Sequence, residues 1–270
     1  DLDYVATSSL VCPAPSPGTP VYEDTSEEAR GVTVVGNYAY VADGDSGLAI
    51  INISDPTNPG TPVYEDTTGL ATGITVVGNY AYIADRSSGL AIIDVSDPTN
   101  PGTPVYKDTS GQAFDVTVVG NYAYVADLQS DLAIIDISDP TNPGNPVYKD
   151  TSGFAYGVTV VGNYAYLAIE DSGLAIIDVS DPTSPGNPVY MNTTNGSARD
   201  VTVAGNYAYV VDYSYGGGLA IIDITDKANP GSPVYMDTSG AAKGVTVVGN
   251  YAYVADQQSG LAIIDISDPT

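Results

Sequence analysis

The sequence predicts an all-β fold, a six-bladed β-propeller with four antiparallel strands per blade. Three observations carry that reading. A phrase of the form VTVVGNYAYVAD occurs six times, with its Gly at 36, 78, 120, 162, 205 and 249, a spacing of 42 to 44 residues. A period near 42 is the length of a propeller blade. Each repeat is rich in Val, Ile, Thr and Tyr and punctuated by Gly and Pro, which suits short strands and turns rather than helical repeats. Third, the last repeat stops after three strand-like segments, and a fourth of the right type, TPVYED, stands at Thr19 to Asp24.

The first repeat shows how each strand follows from its residues. GVTVVG (Gly31 to Gly36) is strand A, and the Gly36-Asn37 pair closes a tight turn. YAYVAD (Tyr38 to Asp43) is strand B. Its alternation puts Tyr38, Tyr40 and Ala42 on one face and Ala39 and Val41 on the other. GLAIINIS (Gly47 to Ser54) is strand C, a nearly continuous apolar run suited to a strand covered on both faces. DPTNPG (Asp55 to Gly60) is a loop, and TPVYED (Thr61 to Asp66) is strand D. Pro62 lacks an amide donor, which places strand D at the blade's outer edge. Strand A has no Pro and is placed innermost. Thr19 to Asp24 is expected to pair beside Gly260 to Ser267 and so close the last blade.

The propeller is expected over residues 17–270, preceded by a Pro-rich leader over 1–16 that holds the lone cysteine, Cys12. With one Cys, no disulfide can form within the chain, and with no His, triads and His-ligated metals are excluded. The formal charge is −26, from 33 acids against 7 bases. That field repels phosphate backbones and anionic head groups, so nucleic acid is not an expected partner. No apolar run approaches the ~20 residues of a membrane span, so no membrane insertion is expected.

The repeated GLAIIDVSDP, GLAIIDISDP and LAIIDITD, following GNYAYVAD, resemble the LVIVD repeat, a family of β-propellers. The likeness runs over all six repeats, with LAIID in the place of LVIVD and Asn52 replacing the Asp in the first copy. The resemblance implies a six- or seven-bladed propeller on a secreted or cell-surface protein, and no single activity. Three N-x-S/T sequons, at Asn52, Asn192 and Asn195, agree with an extracellular or cell-surface setting, although Asn52 falls within strand C.

Two recurring carboxylates invite a cation reading, calcium in the case of the first. One is the Asp of the SDP turns (Asp55, Asp97, Asp139, Asp181, Asp268, with Asp226 in TDK). Each loop offers a single carboxylate there, and Asp before Pro serves a turn, so no metal ligand is assigned and calcium remains unassigned. The other ends strand B at Asp43, Asp85, Asp127, Asp212 and Asp256, with Ile169 in the fourth copy. These are expected to brace the loop to strand C. No cofactor and no catalytic residue is assigned.

What varies between repeats lies on one face. The B–C loops read GDSG, RSSG, LQSD, EDSG, YSYGGG and QQSG. The D–A loops end at one position that reads Arg30, Thr72, Phe114, Tyr156, Arg199 and Lys243. Three of the seven basic residues fall there, and this position is expected to ring the mouth of the central channel. Arg fixes carboxylates and aromatic rings stack on flat or apolar faces, so the six are candidate ligand-binding residues. The competing explanation is that the cations offset local acids such as Asp115 and Asp200. The expected function is a monomeric binding or structural scaffold for a small molecule, glycan or protein. A calcium-dependent propeller hydrolase or lyase, and a passive surface-layer component, are the alternatives.

Overall fold

The computed structural model describes residues 19–129, 131–193, 196–214, 217–257 and 259–269. The leader at 1–16, Cys12 and Asn195 lie outside them. The first blade is β1 (Gly31–Val35), β2 (Tyr38–Ala42), β3 (Leu48–Asn52) and β4 (Val63–Glu65). The second is β5 (Gly73–Val77), β6 (Tyr80–Ala84), β7 (Leu90–Asp94) and β8 (Val105–Lys107). The third is β9 (Ala113–Val119), β10 (Tyr122–Asp127), β11 (Asp131–Asp136) and β12 (Val147–Lys149). The fourth is β13 (Ala155–Val161), β14 (Tyr164–Ile169), β15 (Gly173–Asp178) and β16 (Val189–Met191). The fifth is β17 (Ala198–Ala204), β18 (Tyr207–Asp212), β19 (Gly218–Asp223) and β20 (Val234–Met236). The sixth is β21 (Ala242–Val248), β22 (Tyr251–Asp256) and β23 (Gly260–Asp265).

Every sheet is an antiparallel meander in chain order, so the protein is a six-bladed propeller. The innermost strands β1, β5, β9, β13, β17 and β21 pack one on the next, which puts strand A at the axis as expected. The A–B turn places Gly36 at φ 59°, a left-handed first position that Gly takes without strain. Asp55 accepts the Thr57 amide at 3.0 Å and its hydroxyl at 2.6 Å, and the same pair recurs at Asp97, Asp139 and Asp181. These bonds, the Thr hydroxyl first, hold the four carboxyls below the usual range. The SDP aspartates are thus committed to their turns.

The core is a series of repeats of one interface. Tyr124, Ala126, Leu132 and Ile134 on the third blade close on Val158, Ala165, Leu167, Ala175 and Ile177 of the fourth. Equivalent residues join the first blade to the second, the second to the third and the fourth to the fifth. Each fully buried Ile or Leu contributes about 1.5–3 kcal/mol. The continuous apolar run of strand C exists because one side chain serves the blade ahead and the next serves the blade behind.

The sixth interface differs from expectation. Thr19–Asp24 form no strand, Tyr22 is 84 % exposed, and the last sheet has three strands among the described residues. Leu261 is 62 % exposed, while its counterparts Leu48, Leu90, Leu132, Leu174 and Leu219 are buried. On the first blade Val32 is 66 % exposed, while its counterparts Val116, Val158 and Val201 are buried. Among the described residues the seam between the last blade and the first is therefore open, and the expected pairing of Thr19–Asp24 beside Gly260–Ser267 is corrected. The reason lies in chain connectivity. Elsewhere strand D is delivered to strand C by its own loop, clamped by Gly60 N–H donating to Asn52 O at 2.8 Å and its equivalents. Thr19–Asp24 has no such loop, so three residue pairs would have to offset a long-range closure entropy.

The acids sit mostly in exposed turns and at strand ends, so a net charge of −26 acts as self-repulsion at the surface. Melting temperature at neutral pH should rise from low to high sodium chloride as screening grows. An unchanged melting temperature across that range would contradict this account.

Candidate functional site

At Asp43, Asp85 and Asp127 the aspartates that end strand B pin the D–A loop instead of the loop to strand C, whereas Asp212 and Asp256 brace the loop to strand C as expected, through the amides of Ser214 and Ser259. Asp85 accepts the Thr67 hydroxyl at 2.8 Å and the Gly69 amide at 2.9 Å, both from the loop that enters its blade. The Thr68 amide donates to the Tyr106 hydroxyl at 3.0 Å. The same set recurs at Asp127 with Thr109, Gly111, Ser110 and Tyr148, and at Asp43 with Thr25, Glu27, Ser26 and Tyr64. Burial, the larger effect, raises the Asp85 carboxyl. In the fourth blade Ile169 stands in that place, and the Thr151 amide instead finds Asp131 at 2.9 Å. In the fifth, Asp212 turns to the Ser214 amide and hydroxyl. Pinning the loop at its start leaves its last residue aimed over the axis.

All six candidate residues, Arg30, Thr72, Phe114, Tyr156, Arg199 and Lys243, line one cavity of about 680 Å³ at the channel mouth. They do not play equal parts. Thr72 is buried, and its hydroxyl donates to Phe114 O at 2.8 Å, with Ala84 O at 3.0 Å, so it ties β5 to β9. Phe114 and Tyr156 meet edge to face at 4.9 Å between centroids. The Arg199 guanidinium lies 3.7 Å over the Tyr156 ring and 5.3 Å from Tyr213. Lys243 stands 5.8 Å over the same Tyr213, and Arg86 stands 4.3 Å over Phe114. Cations and rings thus form a continuous ladder from Arg86 to Lys243, each contact contributing about 0.5–2 kcal/mol. Arg86 thus stands among the aromatic residues of this wall. The rings stack the cations in place instead of presenting free faces.

Arg86 and Tyr213 were not among the candidates. Both are the first residue after the aspartate that ends strand B, at the head of a variable B–C loop. The backbone there bonds the next blade: Arg86 pairs with Ala113, and the Tyr213 amide donates to Ser197 O at 3.0 Å. Comparing that column across repeats (Gly44, Arg86, Leu128, Glu170, Tyr213, Gln257) was the available signal. With Arg86, four of the seven basic residues line the cavity. Burial, and then the charge of Arg30, hold Arg86 below its ordinary value, and its Nε is buried without a hydrogen-bond partner.

The cations are not paired with Asp115 and Asp200. Arg30 bonds Glu28 at 2.7 Å and Arg199 bonds Glu170 at 2.8 Å. Asp115 accepts the amides of Val116 at 2.8 Å and Val158 at 2.9 Å, so it staples the third blade to the fourth. Asp200 does the same between the fifth and sixth, with Val201 at 2.8 Å and Val245 at 2.9 Å. At this position the other four repeats carry Gly31, Gly73, Gly157 and Gly244. A Cβ on Gly73 would come within 2.7 Å of the Asp115 backbone, so the staples require Gly beside them. Burial first, and then Asp115, push Asp200 up to about 7, and burial raises Asp115. Both carboxyls belong to the cavity wall. Among the described residues, no three His, Cys, Asp or Glu converge as a metal site.

The family described as LVIVD repeat matches residues 27–62, 68–105, 110–146, 152–193, 195–238 and 239–270. No curated protein matches the chain in sequence. Among solved structures, it is similar to a putative 6-phosphogluconolactonase from Bacteroides uniformis, with TM-score 0.76 and 14 % identity over 87 % of this chain and 79 % of that one. A periplasmic gluconolactonase of Pseudomonas aeruginosa, PpgL, gives TM-score 0.76 and 14 % identity over 88 % and 81 %. The computationally designed protein Ika8 gives TM-score 0.68 and 10 % identity over 88 % and 71 %. At these identities the likeness is one of fold.

Proposed function

The chain belongs to the LVIVD repeat family, and from that premise we propose that it is an extracellular or surface-displayed binding propeller that holds an anionic ligand at the mouth of its channel. The observation that carries this is charge placement. A chain with net charge −26 gathers four of its seven bases on one cavity. Arg86 and Lys243 have no carboxylate within ion-pair reach among the described residues. The cavity volume lies within the ~300–1,000 Å³ of small-molecule sites. Asn52 and Asn192, both exposed sequon residues, agree with an extracellular setting.

The test is Arg30→Ala, Arg199→Ala and Lys243→Ala combined, with sulfate, tartrate and galacturonate titrated calorimetrically into variant and parent. The parent should bind at least one anion, and the variant should bind it at least ~10-fold more weakly, since each lost charged hydrogen bond costs about 1.5–3 kcal/mol. Equal affinities in two folded proteins would end the proposal.

A second reading, a hydrolase of sugar lactones, is favoured by one observation. The Asp200 carboxyl, at about 7, is poised for proton transfer at neutral pH within the cavity. Both its oxygens are taken by backbone amides, which speaks for the staple instead. Gluconolactone turnover by the parent, lost in Asp200→Gly, would reverse the order of the two readings. A calcium requirement would extend the second.

A further inference from the structure

The cavity holds two kinds of charge that answer to different things. The cations of its rim are guanidinium and ammonium groups, which only donate hydrogen bonds. Asp115 and Asp200 on its wall are half-buried, and backbone amides, not cations, hold their carboxyls. We propose that this pocket takes up a proton when it binds an anion, with Asp200 as the group that accepts it, so that affinity rises as the pH falls. The inference rests on the anion-binding reading above and adds its regulation.

The physical argument is linkage. An anion at the rim brings a negative charge toward two carboxyls in a poorly solvated wall. Their neutral form is favoured by burial already, and Asp200 feels the charge of Asp115 besides. A third negative charge raises the cost of ionising Asp200 again. Whatever the ligand does to the proton affinity of Asp200, the proton does to the affinity for the ligand. The other charged groups around Asp200 do not cancel this. On its own strand, Arg199 is turned to Glu170 and to the rings of Tyr156 and Tyr213. On β21, Lys243 stands over Tyr213. On β18, Asp212 is engaged by Ser214. Of these neighbours, Asp115 is the one whose charge bears on the Asp200 carboxyl. A carboxyl near 7 is half ionised at neutral pH, so a shift of about one unit either way changes its charge there.

The amides of Val201 and Val245 donate to either form, because a protonated carboxyl keeps a lone pair on each oxygen. Protonation therefore alters the field in the cavity without unstapling the two blades. The Gly found in four other repeats shows that the backbone at this position also tolerates the absence of the side chain.

Sulfate and tartrate, whose own charge is constant above about pH 5, are the probes. The full chain is titrated with each from pH 6 to 9 by calorimetry, in buffers of different ionisation enthalpy. The expected result is proton uptake on binding near pH 7–8 and an affinity that falls roughly tenfold from pH 6 to 9, one pKa unit being one decade. In Asp200→Gly the uptake should vanish, and the affinity at pH 8 should match that of the parent near pH 6. In Asp115→Asn the pH at which affinity changes should move down, because a charge that raises Asp200 is gone. Binding with no proton uptake at any pH overturns the coupling and leaves the anion pocket standing. Uptake that persists in Asp200→Gly overturns the assignment to Asp200. No binding of either probe overturns the pocket reading and the coupling together. Should Asp200→Gly not fold, the two-buffer measurement on the parent still decides whether a proton is taken up, and Asp115→Asn decides by which wall.

Discussion

Ile134→Ala should destabilise the protein by about 2–5 kcal/mol, whereas Ile263→Ala, at the same place in the last repeat, should cost less than about 1 kcal/mol. The two isoleucines occupy the same position of the same LAIID segment. Ile134 is 1 % exposed and packs into the interface between the third and fourth blades, while Ile263 is 58 % exposed on the open seam. Truncating Ile134 removes apolar contacts and leaves a cavity that its stapled neighbours cannot fill by moving. Truncating Ile263 removes surface that water already touches. Denaturant melts of the two variants measure both numbers. A cost at Ile263 equal to that at Ile134 would mean that the seam is closed in solution. Amide exchange should report the same asymmetry, with β22 and β23 exchanging ahead of β10 and β11.

Melting temperature should rise as the pH is lowered from about 8 to about 5. Asp200 and Asp115 are half-buried residues whose carboxyls are desolvated, so their folded-state affinity for a proton exceeds the unfolded one, Asp200 reaching about 7 and Asp131 about 6, with desolvation the largest cause in each case. Between the unfolded value near 3.9 and the raised folded value, the folded chain binds more protons. Its stability therefore falls with rising pH across that window, by about 1.4 kcal/mol for each unit by which a buried group is raised. The turn aspartates Asp55, Asp97, Asp139 and Asp181 work in the other direction, because their folded values are lowered. Their contribution is present above about pH 4 and is lost below it. The optimum should therefore lie near pH 4–5. Asp200→Gly should flatten the limb between pH 5 and 8, and calorimetric scans would show it. A melting temperature that is constant or climbs from pH 5 to pH 8 would refute the buried-carboxyl account.

The blade is legible in the residues of a single repeat. Periodicity alone separates Tyr40 and Ala42 from Ala39 and Val41, and the structure puts those pairs on opposite faces of the blade, the first pair against the second blade and the other pair in a cluster of first-blade residues. The Gly-Asn turn, the SDP turn and Pro62 place all four strands, because each acts through backbone chemistry within a few residues. The rim was legible as well, since one alignment column of the repeats is one ring of the propeller. How the repeats contact one another emerges from the folded ring alone. That Asp43, Asp85 and Asp127 hold the loop of the preceding connection, that Arg86 lies over Phe114 of the next blade, and that Asp115 and Asp200 staple blades instead of pairing with cations are facts about contacts between repeats. A column of one residue type cannot reveal them, because it records position around the ring and not the direction of a side chain. The open seam has the same origin. TPVYED at Thr19 is letter for letter the segment that forms strand D at Thr61, but only the second is tethered by a loop to the strand it must pair with. Identical residues gain the same ladder energy in both places, and the entropy of bringing them there is what differs.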